Sequence, residues 1–285
     1  MVDVKPVSGS DSKRLSGSNL ALRILSALVL GPLALLTAWV GDWPFALFWI
    51  VAALAVFWEW SALVVGSPHR LMFSSAAGAI AVAGVLTWLA KPVVALLMVG
   101  LGALAVAIFA PVERRVWVTL GVGYAGAILL APMFLRADNT YGFAVIVLLF
   151  AIIWTTDVLG YFAGRAFGGP KLLPAVSPNK TWSGAIAGTG GAMVVALLVA
   201  SLFGSFNAVA ILIIAFVLSV LAQFGDLFES WVKRQFGAKD ASQLIPGHGG
   251  VMDRLDGFWA AAVAACIIGI LRGGFDGPAR GLLLW

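Results

Sequence analysis

This sequence has very few charged residues and a single cysteine. Of its 285 residues, 11% are charged and 61% are hydrophobic, whereas a soluble domain carries about 25% charged residues. So few charges cannot cover the surface of a globular chain, but long apolar runs can face lipid. The lone Cys266 lies in an apolar stretch and excludes an intramolecular disulfide. These absences exclude a soluble, disordered or disulfide-stabilised protein and indicate a membrane protein.

The net charge of +5 does not indicate a nucleic-acid partner, because the basic residues are spread among hydrophobic segments. Residues 1–19, rich in Ser, Gly and charged residues, predict a disordered tail. The stretch that follows predicts a retained span rather than a signal peptide. It is long enough to cross a bilayer, and no small-residue cleavage site precedes a polar start.

Nine apolar segments follow one another along the chain. Backbone amides in hydrocarbon need internal partners, and the alternation of barrel strands is missing, so these segments predict helices. The fold class is therefore an all-α, polytopic integral membrane protein, with eight or ten spans as alternatives to nine. The segments lie at 21–40, 44–65, 72–90, 92–110, 116–135, 143–161, 183–203, 207–225 and 255–271.

The basic residues predict the orientation. With a cytoplasmic N-terminus and nine spans, fourteen Lys and Arg fall on the cytoplasmic side and four on the other, as the positive-inside rule requires. The four are Lys91, Arg136, Arg272 and Arg280. Both long polar loops, 162–182 and 226–254, are then cytoplasmic. We expect N-terminal transmembrane helices over 20–142 and a catalytic transmembrane region over 143–285.

Charged residues are concentrated between positions 226 and 257. A solvated loop is the plain alternative. If the eighth span continues as a helix, however, Asp226, Glu229, Ser230 and Lys233 fall on one face. The charged residues of this region are Asp226, Glu229, Lys233, Arg234, Lys239, Asp240, Asp253, Arg254 and Asp256.

A glycine-rich run, 247–250, lies inside this region and contains His248, Gly249 and Gly250. Such a backbone can turn its amides toward an anion, and Asp253 and Asp256 follow at the expected first turn of the last helix. Carboxylates, cations and glycine together predict a magnesium–phosphate site. A zinc site is not indicated, since no metal-ligand spacing links the two histidines.

A second polar stretch, Ser177 to Thr181, precedes the seventh span. Pro178 predicts a turn, and Ser177, Lys180 and Thr181 are side chains that can bind phosphate. An ordinary helix N-cap is an equally good interpretation of the same residues. Two acids within apolar spans, Glu59 and Asp157, are further functional candidates, because an ionisable group at membrane depth usually faces protein or water.

The charged region resembles the signature of the phosphatidate cytidylyltransferase (CDP-diacylglycerol synthase) family. The upstream stretch also resembles that family's Ser-Pro-x-Lys-Thr element, with Ser183 where many members have an acid. The matching residues are Ser230, Trp231, Val232, Lys233, Arg234, Lys239, Asp240, Ser242, Ile245, Pro246, His248, Gly249, Gly250, Val251, Asp253, Arg254, Leu255 and Asp256.

The resemblance implies an enzyme that converts CTP and phosphatidate to CDP-diacylglycerol and diphosphate with Mg²⁺, and it leaves a second cation open. It also implies a homodimer in the cytoplasmic membrane, among membrane lipids, with its active site facing the cytoplasm. Asp226, Asp253 and Asp256 would bind metal, and Asp226, Asp253, Lys239 and Arg254 would be catalytic. The CTP and phosphate ligands would be Ser177, Lys180, Thr181, Ser230, Lys233, Arg234, Lys239, Asp240, His248, Gly249, Gly250 and Arg254.

Two other functions remain as alternatives. A transporter would also contain intramembrane acids, but here the charges cluster at one membrane face and no paired inverted repeat is seen. A CTP-dependent polyprenol kinase would share the nucleotide and the membrane, but would release CDP instead of diphosphate. A CDP-alcohol phosphotransferase is disfavoured, because its paired Asp-Gly and Ala-Arg element is missing.

Overall fold

A computed structural model describes residues 28–66, 70–204, 206–245 and 249–285. The predicted tail 1–19, the first part of the predicted span 21–40, both histidines, Pro246 and Gly247 lie outside the described residues. The elements in chain order are α1 (Leu28–Val40), α2 (Asp42–Val65), α3 (Arg70–Trp88), α4 (Pro92–Phe109), α5 (Arg115–Arg136), α6 (Gly142–Phe167), β1 (Lys171–Leu173), β2 (Ser177–Thr181), α7 (Trp182–Phe203), α8 (Ala208–Gln235), α9 (Met252–Gly273) and α10 (Pro278–Leu283).

Eight of these helices, α2 to α9, are long and apolar enough to cross a membrane. The prediction of an all-α polytopic membrane protein is confirmed. Each of the eight corresponds to one predicted span, and α1 is the described part of the remaining one, 21–40. The cytoplasmic position of the N-terminus stays a prediction.

The helices differ in how much of their surface other helices cover. Fourteen residues of α5 are buried, whereas α4 buries only Ala95, Gly102 and Val106. Because α5 packs on α2, α4 and α9, it lies at the centre of the bundle. The uncovered apolar surface of α4 is suited to contact lipid, because a helix that is apolar on all sides needs no polar solvent.

Glycines bring α6 and α7 into close contact. On each helix two glycines lie four residues apart, Gly160 and Gly164 on α6, and Gly184 and Gly188 on α7. An added Cβ at Gly188 would lie 2.5 Å from the carbonyl oxygen of Thr156. Small residues at this spacing let membrane helices approach backbone to backbone, where van der Waals contacts stabilise the pair.

The two polar loops are shorter than predicted, and both contain regular structure. Helix α6 continues to Phe167, and strands β1 and β2 form an antiparallel hairpin in which Leu173 pairs with Ser177. The turn expected at Pro178 is therefore wrong, and Pro178 lies in β2, which has one strand neighbour and tolerates proline as an edge strand. Helix α8 continues to Gln235, so the segment predicted as a loop from 226 begins as helix.

We predict that Gly188→Ala destabilises the protein by about 1–3 kcal/mol, because the new Cβ forces α6 and α7 apart. Gly190→Ala is the matched control, because no atom lies within 4 Å of an added Cβ at this position of α7. Thermal unfolding of the two purified variants in detergent measures the difference. Equal unfolding temperatures would contradict the glycine contact between α6 and α7.

Candidate active site

The end of α8 carries the predicted polar face. Because the helix continues to Gln235, Asp226, Glu229, Ser230 and Lys233 do lie along one side of it. Glu229 is fully buried and Lys233 is 7% exposed, whereas Asp226 and Ser230 are half-buried. The continuation of α8 therefore places a charged strip against its neighbours in the bundle.

Lys233 joins α8 to the start of α9. Its ammonium donates to Glu229 Oε2 at 2.9 Å and to Asp253 Oδ1 at 2.5 Å. All three side chains are buried. A buried charge is tolerated when it is paired and hydrogen-bonded, and here one cation is shared by two carboxylates. The pairing holds Asp253 beside α8.

Asp253 also organises the segment before α9. Its Oδ2 accepts hydrogen bonds from the backbone amides of Ala241, at 3.0 Å, and Gly250, at 2.8 Å. The amide of Ile245 donates to the carbonyl of Gly249 at 2.8 Å, and Gly249 has φ of +86°, which favours glycine. Ala241 and Gly250 are thus both tied to Asp253, and Ile245 is tied to Gly249.

The phosphate-binding role of the glycine run stays a prediction, and the described contacts of Gly250 lie within the protein. Its amide is donated to Asp253, and the next two amides, of Val251 and Met252, are donated to Glu59. The amides of Val251 and Met252 at the start of α9 are therefore not free, because a carboxylate of the chain accepts their hydrogen bonds. The backbone here binds internal anions.

The second polar stretch does reach the charged region. Lys180, on β2, forms an ion pair with Asp226 on α8, and the Ser230 hydroxyl lies 3.5 Å from the other oxygen of Asp226. Thr181 is the N-cap of α7, where its hydroxyl accepts the amide of Gly184 at 3.2 Å. The helix N-cap interpretation is therefore confirmed for Thr181. Lys180 instead lies in the charged region, where the phosphate-binding role stays a prediction. Ser177 opens β2 and is half-buried.

Three carboxylates from three helices share this region. Asp157 lies on α6, Asp226 on α8 and Asp256 on α9, and these three helices pack on one another. Within the described ranges, no three His, Cys, Asp or Glu side chains are close enough to form a metal site by themselves. Mg²⁺ commonly binds one or two carboxylates and completes its coordination with phosphate oxygens and water. Asp226 and Asp256, both half-buried, are the carboxylates that could supply such ligands.

Four predicted ligands are exposed. Arg234 lies in the last turn of α8, Lys239 and Asp240 follow that helix, and Arg254 lies in the first turn of α9. Arg234 donates to the carbonyl of Ala238 at 2.9 Å. Exposed cations next to a fixed set of buried charges can meet an anionic substrate that arrives from water.

The structure also shows polar contacts that the sequence did not predict. Hydroxyls of Thr156, Thr189 and Ser219 form a buried chain across α6, α7 and α8, with contacts of 2.7 and 3.0 Å, and Gln223 donates to Thr189 at 3.0 Å. These residues lie on three separate spans. Polar residues inside apolar helices could have indicated these contacts from the sequence, but their positions do not show which residues contact one another.

Comparison with known proteins identifies the family of this chain. The model of the cytidylyltransferase family matches residues 21–271. The chain belongs to the cytidylyltransferase family. Members of this family are nucleotidyltransferases, so the predicted enzyme class is confirmed. The match covers α2 and runs into the last turn of α9, so Glu59 and the whole charged region lie within it.

Several relatives of this chain are named phosphatidate cytidylyltransferase. The protein of Brucella suis biovar 1 is 46% identical over 266 residues, which are 92% of this chain and 97% of the relative. That of Brucella abortus biovar 1 is 46% identical over 259 residues, 89% and 94% of the two chains. That of Haemophilus influenzae is 43% identical over 129 residues, 44% and 45% of the two chains. The family resemblance inferred from the signature is confirmed.

We predict that Lys233→Met destabilises the protein by about 3–5 kcal/mol, because Glu229 and Asp253 would remain buried without their cation. Arg234→Met, at the neighbouring exposed position, should change stability by no more than about 0.5 kcal/mol. Thermal unfolding in detergent compares the two. If both variants unfold at the same temperature, the pairing of Lys233 does not stabilise the α8–α9 contact.

Proposed function

We propose that this chain is a phosphatidate cytidylyltransferase, which transfers the cytidylyl group of CTP to phosphatidate and releases diphosphate. The observation that carries the proposal is that Lys180–Asp226 joins the two polar stretches and Lys233–Asp253 joins α8 to α9, beside the exposed cations of these helices. Family membership and the names of the Brucella relatives, which align with most of this chain, support the same reaction.

Catalysis of this reaction requires neutralisation of phosphate charge more than it requires proton transfer. A phosphatidate oxygen attacks the α-phosphorus of CTP, a new P–O bond forms, and the bond from the α-phosphorus to the bridging oxygen of diphosphate breaks. A phosphate monoester has a second pKa near 6, so the attacking oxygen is largely ionised at neutral pH. The barrier is the approach of two anions, and fixed positive groups lower it most effectively.

The side chains of this site divide into two groups by exposure. Lys239, Arg234 and Arg254 are exposed, and we assign them to the phosphates of CTP and of the lipid. Lys180 is half-buried and bound to Asp226, so it can reach a phosphate next to that carboxylate. Lys233 is buried between Glu229 and Asp253, and we assign it to holding the site together instead of binding substrate.

We assign Mg²⁺ to Asp226 and Asp256, where it would neutralise charge on the triphosphate. Asp253 fits a metal ligand less well, because it is buried and its carboxylate is bound by Lys233 and two backbone amides, whereas Asp226 and Asp256 are half-buried. Its proposed role is to fix the start of α9, which carries Arg254 and Asp256. This assignment revises the expectation that all three aspartates bind the metal directly.

The proposed site lies at the polar end of α8 and beside β2, which directly precedes the apolar helix α7. We therefore place it at the membrane surface. The positive-inside rule assigns that surface to the cytoplasm, from which CTP arrives. The phosphate of phosphatidate lies at the same depth, while its acyl chains remain among lipids. The lipid therefore need not leave the membrane to react. The homodimer that the family resemblance implies stays a prediction.

The reaction itself is tested by incubating the purified protein with α-³²P-labelled CTP, Mg²⁺ and phosphatidate, followed by lipid extraction and a diphosphate assay. We expect labelled lipid and an equal amount of diphosphate. Release of CDP with polyprenol as acceptor, without labelled lipid from phosphatidate, would replace the proposal with a lipid kinase. Leaving out Mg²⁺ tests the metal requirement in the same assay.

We predict that Asp226→Asn lowers kcat on the order of 100-fold or more while thermal stability is retained, because electrostatic groups of an active site act mainly on the transition state. Asp253→Asn should lower both activity and stability, since Lys233 then keeps only Glu229 as a charged partner. Asp276→Asn, at an exposed position after α9, is the matched control. Normal turnover in Asp226→Asn would contradict the metal assignment.

A further inference from the structure

A buried acid of the N-terminal half contacts the segment between α8 and α9. Glu59 lies near the end of α2 and is 0% exposed. Its Oε1 accepts hydrogen bonds from the Ser242 hydroxyl, at 2.6 Å, and the Val251 amide, at 2.8 Å. Its Oε2 accepts the Met252 amide at 2.7 Å. All three donors lie more than 180 residues away in sequence.

The charge of Glu59 is stabilised by backbone rather than by a cation. In the part of the chain that the structure describes, the ion pairs are those of Lys180, Lys233 and Arg280, and none includes Glu59. The amides of Val251 and Met252 begin α9, and the N-terminus of a helix carries partial positive charge. Glu59 thus acts as the anion at the start of α9.

Gly250 is shaped to this contact. A Cβ added there would meet Glu59 Oε1 at 2.7 Å, and the three nearest atoms all belong to the Glu59 carboxylate. The φ of Gly250 is outside the left-handed region, so only the approach of Glu59 demands glycine here. The Glu59 carboxylate therefore lies directly against the Cα of Gly250, so its position as well as its charge matters for this contact.

Two carboxylates therefore hold the segment that joins α8 to α9. Asp253 binds the amides of Ala241 and Gly250, and Glu59 binds Ser242 and the first amides of α9. Asp253 is itself paired with Lys233 of α8. Glu59 is the member of this set that belongs to the N-terminal half, so it ties that half to the candidate active site.

We propose that Glu59 is a positioning residue for cytidylyl transfer, which fixes the 241–252 segment and the start of α9 so that Lys239, Arg254 and Asp256 face the substrates. The catalytic part of this inference rests on the proposed function. The structural part, that Glu59 holds the segment, can be measured without any turnover.

The test compares Glu59→Gln with Glu113→Gln in the full chain in detergent. Glutamine keeps the shape of the side chain, but loses the charge and offers one acceptor oxygen instead of two. Glu113 is an exposed acid of the same half of the chain, between α4 and α5, and its variant serves as the matched control. The first measurement is amide hydrogen exchange of peptides covering 241–252, read by mass spectrometry.

We expect exchange in 241–252 to become about tenfold faster or more in Glu59→Gln, because hydrogen bonds to a buried charge are among the strongest in a protein. Exchange in α5 should not change. Turnover per folded molecule should fall about tenfold or more, with a raised KM for CTP, since cations placed by this segment bind the nucleotide. Glu113→Gln should match the unaltered chain in both measurements.

Three results would overturn the proposal. Unchanged exchange in 241–252 would show that Glu59 does not hold the segment. Faster exchange throughout the chain, with normal kcat and KM per folded molecule, would reduce Glu59 to a general stabilising residue. Faster local exchange with normal kinetic constants would show that holding the segment does not affect the reaction. If the unaltered chain itself converts no CTP, the proposed function fails, while the exchange data still decide whether Glu59 holds the segment.

Gly250→Ala provides a second variant if Glu59→Gln does not fold. The new methyl group displaces the Glu59 carboxylate without straining the backbone, so exchange of 251–252 should again become faster. Exchange at the unaltered rate in Gly250→Ala would overturn the proposed contact.

Discussion

The ammonium of Lys233 lies between the carboxylates of Glu229 and Asp253, away from water, and the arrangement of α8 and α9 depends on it. A charge without a partner would be very costly at this depth, so the two helices must meet where the three groups coincide. Small residues make this possible: an added Cβ at Gly225 of α8 would lie 2.6 Å from the carbonyl oxygen of Asp256. The ion pairs set the alignment of the helices, and the glycine permits their approach.

From this centre a connected set of hydrogen bonds extends to both halves of the chain. Asp253 accepts hydrogen bonds from Lys233 and from the amides of Ala241 and Gly250. Glu59 accepts hydrogen bonds from the amides of Val251 and Met252. On the other side, the hydroxyl chain of Thr156, Thr189 and Ser219 joins α6 and α7 to α8, and the hairpin before α7 carries Lys180 to Asp226. A buried polar side chain is costly unless it is hydrogen-bonded, so these polar contacts help to define which helices are neighbours.

The sequence predicts the spans well because hydropathy is a local property. It also predicts the face formed by Asp226, Glu229, Ser230 and Lys233, since their spacing alone determines it once α8 continues as helix. Partners are harder to predict. Glu59 and Met252 are 193 positions apart, and nothing in the spacing of either residue identifies the other. The glycine run was expected to present amides to an anion of the substrate, whereas the described amides of Gly250, Val251 and Met252 donate to Asp253 and Glu59. A glycine-rich backbone signals an acceptor without specifying whether it belongs to a ligand or to the protein.

An enzyme that brings two anions together needs cations that are both accessible to substrate and fixed in position. In this structure different residues meet these two needs. Cations that bind phosphate must be accessible, and exposed Lys and Arg side chains are flexible and therefore poorly placed by themselves. Here the exposed cations follow directly from elements whose positions are fixed by buried pairs: Arg234 follows Lys233, and Arg254 follows Asp253. In each case the buried residue, Lys233 or Asp253, fixes the backbone that carries the exposed arginine next to it. The internal charges are ordered before any substrate binds, so their reorganisation adds nothing to the barrier of the reaction.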